Sequence, residues 1–147
     1  MVSGARAVRA DYAVFQAITT RWNDNDVYGH INNVVFYEFL DSVVNRHLIE
    51  AGVLDFERGD QIGLVVESGC RFHAPLSYPQ TLEAGLRVAK VGTSSVRYEV
   101  GLFAEGADEA ATEAFFVHVY VDRATRRPKP LGEDFRQVVE GLVKSPR

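Results

Sequence analysis

One short segment concentrates the side chains that could carry out a reaction. Asp24, Asp26, His30, Asn32 and Asn33 all fall within ten consecutive residues. A carboxylate can act as a general base or as a nucleophile, and a histidine can polarise a bound carbonyl group. Asn, Asp and Gly also favour turns, so the segment 23–33 is predicted to be a loop.

A helix is predicted directly after this loop. Apolar residues recur at intervals of three and four over residues 36–51, Gly52 is placed to end the helix, and either Asn32 or Asn33 can cap its start. Three further apolar residues lie off this face: Val34, Val35 and Phe39. We therefore expect the helix to be buried nearly all round. Its N-terminus would present free N–H groups and a positive dipole end to the loop, which favours anions.

The rest of the chain is dominated by strand patterns. Alternating or continuous apolar runs predict five strands, over residues 12–20, 61–74, 81–91, 95–104 and 111–121. Gly69 is a candidate β-bulge in the second strand and Pro75 its end. Residues 1–9 are predicted to be a loose terminus, and residues 135–142 a short helix.

This order of elements predicts a single α+β domain over residues 1–147, in which a curved antiparallel five-stranded sheet wraps around one long central helix. One helix covers only one face of such a sheet. The other face and the exposed edge need cover, which favours a homo-oligomer.

Composition excludes several classes of protein. The net charge of −4 and the pI of about 5.5 argue against nucleic-acid binding, which depends on clustered Lys and Arg. The single cysteine, Cys70, excludes an internal disulfide framework. No apolar run is long enough to span a membrane. We expect a cytoplasmic protein that binds neither nucleic acid nor membrane.

The loop and helix together carry a recognisable signature. Its residues are Arg21, Trp22, Asp24, Asp26, Gly29, His30, Asn32, Asn33, Phe36 and Tyr37. They resemble the hotdog-fold acyl-CoA thioesterases of the 4-hydroxybenzoyl-CoA thioesterase type, in which a strand, a D-x-D-x-x-G-H-x-N-N loop and the central helix follow one another. The later residues Arg71, Phe72, Pro75 and Leu76 and the segment GTSSVRYEV are also similar. The resemblance covers roughly residues 12–121.

The resemblance implies a reaction and roles for several residues. It implies hydrolysis of an acyl-CoA, in which Asp26 attacks the thioester carbonyl or activates a water and the backbone N–H of Asn33 stabilises the oxyanion. His30, Asn32 and Tyr37 would contact the substrate. A homodimer or homotetramer is implied, with active sites between subunits. Coenzyme A belongs to the substrate, so no separate cofactor is expected.

The residues that would hold the phosphates of coenzyme A remain unassigned. The basic candidates are Lys90, Arg97, Arg123, Arg126, Arg127 and Lys129.

Each of these residues also has a possible structural role. Asp26 can bond its own loop, and Asp24 is expected to be structural and paired with Arg21. His30 can hold the loop instead of the substrate. For Tyr37 the first expectation is core packing.

Glu38, the other carboxylate near this site, is expected to face solvent or an interface. A calcium loop is excluded because Val35 stands where a bidentate Glu is required, and a zinc site from Asp26, His30 and a further histidine lacks ligand spacing. Two other functions remain possible. One is an acyl-carrier-protein thioesterase, and the other is a non-catalytic module that binds acyl ligands.

Overall fold

The protein folds as one antiparallel sheet with a long helix on one face. The computed structural model describes residues 5–144. The strands are β1 (Val14–Thr19), β2 (Gln61–Phe72), β3 (Thr81–Val91), β4 (Ser95–Ala104) and β5 (Thr112–Asp122), and the helices are α1 (Asn33–Glu50) and α2 (Glu133–Glu140). The strand order is β1-β3-β4-β5-β2, with all neighbours antiparallel. This is the predicted α+β hotdog arrangement, and β3 and β4 have the predicted bounds.

Helix α1 forms the main core with the sheet. Its side chains Leu40, Val44 and Leu48 are almost fully buried, in one cluster with alternate residues of β3 such as Leu86. Burial of this kind contributes roughly 1.5–3 kcal/mol for each large aliphatic side chain. The expectation of burial nearly all round was wrong, because Val34 is 63% exposed. One side of α1 thus has no partner within the described chain.

The opposite face of the sheet is partly covered by the segment that precedes β1. Tyr12 packs there with Ala7, Phe103 and Ala110 in a second buried cluster. Val8 forms an isolated bridge to the β4–β5 loop. The predicted loose terminus was therefore wrong for residues 5–9, which are docked through long-range contacts that local sequence does not reveal. Residues 1–4 lie outside the described part of the chain.

Strand β2 is an edge strand with an irregular register. It pairs only with β5, and the register shifts between Val65 and Glu67, so the bulge lies at Val66 and not at Gly69 as predicted. Gly69 is regularly paired with Phe115, whose ring occupies the space that a Cβ would need, at 2.7 Å. The residues 63–68 are all exposed along this edge.

Helix α2 closes the open end of the core. It begins two residues before the predicted helix, and Phe135 packs its ring 4.6 Å from that of Tyr120, centroid to centroid. Val139 is fully buried beside it. Neither α1 nor α2 has the length and apolar character needed to cross a membrane, as far as the described chain extends.

Candidate active site

Asp26 holds the loop before α1 through one of its two carboxylate oxygens. Its Oδ1 accepts the backbone N–H of Tyr28 at 2.8 Å and, more weakly, that of His30 at 3.4 Å. Its own N–H donates to the carbonyl oxygen of His30 at 2.8 Å. Its Oδ2 accepts no hydrogen bond from residues 5–144. The predicted loop role of Asp26 is thus present, and one carboxylate oxygen of this half-buried residue is still available for chemistry.

The loop is fixed to the body of the protein at both ends. Asn25 and Ile31 form an isolated antiparallel bridge, and the N–H of Ile31 donates to the carbonyl oxygen of Leu76 at 2.8 Å. The side-chain oxygen of Asn25 accepts the N–H of Tyr78 at 2.9 Å. Asp26 is therefore carried by a braced turn, which limits the directions its carboxylate can take.

Asp24 has the structural role that the sequence predicted. It is fully buried, and its carboxylate accepts the backbone N–H of Arg21 at 2.7 Å and the Arg21 guanidinium at 2.9 Å. Its carbonyl oxygen accepts the N–H of Asn32 at 2.8 Å, which ties the loop to the start of α1. A carboxylate enclosed in this way is not placed to meet a substrate.

The N-terminus of α1 leaves one donor free beside the loop. Asn32 is the N-cap, and its side-chain oxygen accepts the N–H of Val34 at 3.0 Å. The N–H of Asn33, the first residue of the helix, donates to no group in the described chain. Both side chains are exposed. The helix therefore presents an unsatisfied donor at its positive dipole end.

His30 and Tyr37 are placed differently. The His30 backbone holds the loop, while its ring is exposed. The half-buried Tyr37 packs at the edge of the core, where its hydroxyl interacts with the thiol of Cys70. Burial raises the pKa of both groups. The sequence reasoning did not pair Cys70 with Tyr37, because this contact depends on how β2 is aligned with α1.

The carboxylate opens onto a depression with apolar surroundings. It is lined by Trp22, Asn23, Asn25, Asp26, Val27, Gly29 and Asn32. The side chain of Val27 is 93% exposed, and those of Trp22 and Tyr28 nearly as much. Gly29 adopts a φ of 81°, which glycine accepts without strain. Apolar side chains clustered around a polar loop indicate a surface that a ligand or a partner covers.

Other candidates from the sequence are not brought to this site. Glu38 is exposed and lies 3.8 Å from the guanidinium of Arg21, in keeping with the predicted surface role. His73 bonds Glu113 at 2.6 Å, and His118 is buried in the core among aromatic rings. Within residues 5–144 no three His, Cys, Asp or Glu side chains are grouped so as to hold a metal ion.

Comparison with solved structures identifies close structural relatives. The PA5185 protein from Pseudomonas aeruginosa strain PAO1 is 49% identical, with 97% of this chain and 100% of that chain covered and a TM-score of 0.95. A thioesterase from Thermus thermophilus, solved in complex with coenzyme A and Zn, is 26% identical, with 90% and 95% covered and a TM-score of 0.74. A 1,4-dihydroxy-2-naphthoyl-CoA thioesterase from Synechocystis shares the fold at 16% identity, with 87% and 96% covered and a TM-score of 0.78.

Comparison by sequence family agrees with this fold. No curated protein matches the chain. The Thioesterase-like superfamily matches residues 20–139, which include the Asp26 loop, α1 and every strand of the sheet except β1. A free carboxylate oxygen beside an unsatisfied helix N-terminus is suited to thioester hydrolysis. The chain belongs to the Thioesterase-like superfamily, and thioester hydrolysis is the class of reaction that this membership supports.

Proposed function

We propose that this protein is an acyl-CoA thioesterase of the 4-hydroxybenzoyl-CoA thioesterase type, which releases a free carboxylic acid and coenzyme A. The observation that carries the proposal is the position of Asp26, whose free Oδ2 belongs to a turn joined directly to the N-terminus of α1. The coenzyme A bound to the Thermus thermophilus relative supports this class of substrate. The proposal includes no separate cofactor.

The helix N-terminus supplies the electrostatic part of the reaction. Attack on a thioester carbonyl places negative charge on its oxygen, and the Asn33 N–H is the free donor that can meet it. Preoriented donors of this kind are worth about 3–4 kcal/mol of transition-state stabilisation. The cap by Asn32 supports the role, because it fixes the first turn of the helix through Val34 and leaves Asn33 unoccupied.

Asp26 supplies the second part, by one of two routes. As a general base it takes a proton from water while the water oxygen bonds the carbonyl carbon, and the C–S bond then breaks to release the thiolate. As a nucleophile its Oδ2 bonds the carbonyl carbon and expels the thiolate, and water hydrolyses the resulting anhydride. In both routes the thiolate is protonated from solvent, so a strong general acid is not required.

His30, Asn32 and Tyr37 complete the proposed substrate site. The exposed ring of His30 and the exposed amide of Asn32 flank the loop and can orient the thioester. Tyr37 is one turn into α1, at the edge of the core beside Cys70, and its hydroxyl would contact the acyl group.

Self-association is part of the proposal. The edge strand β2 exposes Leu64, Val65 and Val66, and the side of α1 that carries Val34 is also uncovered. Unpaired edge strands with exposed apolar side chains favour pairing with another chain. Pairing two copies along β2 would bury this edge. A cytoplasmic location is also proposed, on composition alone.

The reaction can be tested by thiol release from a panel of acyl-CoAs, short, long and aromatic, followed with a thiol-reactive dye. The comparison uses the wild type, Asp26→Asn and Glu38→Gln, the last being a matched control for the nearby exposed carboxylate. A blank without substrate removes any labelling of Cys70. We expect turnover in the wild type and in Glu38→Gln, and a collapse in Asp26→Asn.

Three results would contradict the proposal. Full activity of Asp26→Asn with loss in Glu38→Gln would move catalysis to the helix carboxylate. Turnover of acyl-carrier-protein thioesters, with none of the acyl-CoAs, would assign the carrier protein as the substrate. Tight binding of acyl-CoA without turnover on either carrier would indicate a binding module.

A further inference from the structure

The face of the sheet turned away from α1 carries a cavity of about 300 Å³. It is lined by side chains from four strands and from the segment before β1. Alternation places them there: Leu86 and Val88 on β3 face the core with α1, so Arg87 between them points to the opposite side. The residues that line it are different from those of the depression at Asp26.

The cavity has an excess of positive charge. Three arginines and two glutamates line it, namely Arg71, Arg87, Arg97, Glu99 and Glu113. Arg87 is fully engaged, since its Nε donates to Glu99 at 2.9 Å and another guanidinium nitrogen donates to the carbonyl oxygen of Asp11 at 3.0 Å. It is therefore a structural member of the cluster, which leaves the other two arginines as candidates for a ligand.

Arg97 is held in a fixed orientation, and part of its guanidinium group has no hydrogen-bond partner in the described chain. Its Nε donates to Glu99 at 3.0 Å, and its Cζ lies 4.0 Å from the centroid of the Phe115 ring. The stacked ring and the carboxylate fix the plane of the guanidinium. Its two terminal nitrogens donate to no group in residues 5–144. A planar guanidinium fixed in this way is suited to binding an oxyanion, because little side-chain entropy remains to be lost on binding.

Arg71 provides a second free guanidinium at the rim. It lies opposite Glu113 in the β2–β5 register, yet no ion pair joins these two side chains. The Glu113 carboxylate instead bonds the His73 ring at 2.6 Å and the N–H of Ala7 at 3.3 Å. Arg71 forms no side-chain hydrogen bond within the described chain. Its charge is thus not compensated locally.

Tyr12 provides an uncharged hydrogen-bond donor, its hydroxyl, to the cavity. Its ring lies across Gly85 and Gly101, where a Cβ would come within 2.7 and 2.5 Å of it, and the residue is only 4% exposed. Tyr12 lines the cavity, and its hydroxyl has no hydrogen-bond partner among residues 5–144. Burial raises the pKa of this phenol above its usual value, so the hydroxyl keeps its proton and can donate.

We propose that this cavity binds a phosphate group, held by the terminal N–H groups of Arg97, the guanidinium of Arg71 and the hydroxyl of Tyr12. A phosphate monoester offers several acceptor oxygens in different directions, which matches donors that converge from β2, β4 and the segment before β1. The phosphate can belong to a free phosphate ester or to coenzyme A. None of these three residues lines the depression at Asp26.

The direct test is a titration of arginine-¹⁵N-labelled protein with inorganic phosphate, followed through the Nε–H signals in NMR spectra. We expect saturable shifts for Arg97 and Arg71, with none from chloride at equal ionic strength. Equal responses to chloride and phosphate would reduce the site to general charge screening and overturn the proposal. Tighter binding of acetate than of phosphate would also overturn it.

Substitutions test which residues bind the phosphate. Arg97→Gln and Arg71→Gln should each weaken phosphate binding by about tenfold or more, the scale of a charge-assisted hydrogen bond. Tyr12→Phe, which keeps the ring over the glycines, should weaken it by a smaller factor. Arg58→Gln is the matched control, because Arg58 is exposed and does not line the cavity. Equal losses in Arg58→Gln and Arg97→Gln would contradict the proposed site.

Two further measurements separate this site from the one at Asp26. Asp26→Asn should bind phosphate at these arginines as the wild type does, whatever its turnover, and loss of binding in that variant would contradict the proposal. Addition of coenzyme A distinguishes the two sources of phosphate. If coenzyme A displaces phosphate from Arg97, its own phosphates are the ligand, and if it does not, the ligand is a free phosphate ester.

Discussion

The backbone N–H of Asp26 donates to the carbonyl oxygen of His30, so the residue proposed for catalysis also closes its own loop. Its Oδ1 accepts the N–H of Tyr28 in the same turn. The two roles of Asp26, holding the loop and performing chemistry, use different oxygens of one carboxylate and can be separated by substitution.

The first prediction compares Asp26→Asn with Asp26→Ala. The amide keeps an oxygen that can accept the Tyr28 N–H, so Asp26→Asn should retain nearly all of the free energy of unfolding, whereas Asp26→Ala should lose about 1 kcal/mol. Both should lower kcat roughly a hundredfold or more. Urea unfolding and thiol-release kinetics on the same preparations provide the two readouts. Substantial activity in Asp26→Asn would mean that Asp26 holds the loop and takes no part in catalysis.

The second prediction concerns the Asn33 N–H. Asn33→Pro removes this donor at the first helical position, where proline is well tolerated. Asn32, which precedes it, already has the extended backbone that proline requires, with φ −60° and ψ 138°. We expect Asn33→Pro to fold and to lower kcat by about 10²–10³. Asn33→Ala, which retains the N–H, is the control and should remain close to wild type.

A large loss in Asn33→Ala would mean that the amide side chain, and not the backbone, contacts the substrate. Circular dichroism of both variants shows whether α1 is intact, so that a folding defect is not mistaken for loss of the donor.

The elements that the sequence predicted well are those fixed by local pattern. The alternation in β3 and β4 gives their bounds directly, and the Asn and Gly residues around Asp26 identify the loop and the helix cap. The bulge was misplaced because glycine is a local signal. At Gly69 the glycine instead makes room for the ring of Phe115 on the neighbouring strand.

Features that depend on register were not predictable. Arg71 and Arg97 are separated by 25 intervening residues in the chain and line one cavity only because β5 lies between their strands. The position of Tyr12 over Gly85 and Gly101 likewise requires the β3–β4 pairing to be known. Single-sequence periodicity assigns a residue to a face of a strand but does not select its neighbours across the sheet.

The third prediction follows from His118, which is buried against the rings of Tyr98 and Phe116. Burial lowers its pKa from 6.5 to about 4, and Asp41 opposes the shift only partly. Between about pH 4 and pH 6.5, His118 is protonated in the unfolded chain and neutral in the folded one. Stability is therefore fully present above pH 6.5 and falls by about 3 kcal/mol as the pH decreases to about 4.

Urea unfolding at pH 7 and at pH 4.5 measures this effect. His118→Phe removes the titrating group and should lose less stability than the wild type between these two pH values, whatever its absolute stability. Identical losses in the two proteins would show that other groups cause the acid sensitivity.

The fourth prediction tests the exposed edge of β2. Val65→Glu should weaken self-association by at least about tenfold, because it places like charges near each other when two edges pair. Sedimentation velocity over a range of protein concentrations measures the change. Val143→Glu is the control, since Val143 is comparably exposed but lies outside β2. A wild-type protein that is monomeric at all concentrations would contradict the proposed pairing.

The fifth prediction concerns the pair of hydroxyls in the core. The hydroxyl oxygens of Tyr98 and Tyr120 lie 2.6 Å apart, both residues are almost fully buried, and the Tyr120 hydroxyl also lies 3.4 Å from Nδ1 of His118. Removing the Tyr98 hydroxyl leaves the Tyr120 hydroxyl with only its longer contact to His118 in an apolar core. Tyr98→Phe should therefore lower the free energy of unfolding by about 1–3 kcal/mol.

The double variant Tyr98→Phe/Tyr120→Phe should lose less than the sum of the two single variants, because no hydroxyl is then left unpaired. The coupling expected from a double-mutant cycle is about 0.5–3 kcal/mol. Additive losses would mean that the two hydroxyls act independently, with Tyr120 stabilised by His118 instead. The cycle thus separates the two contacts of Tyr120 through stability alone.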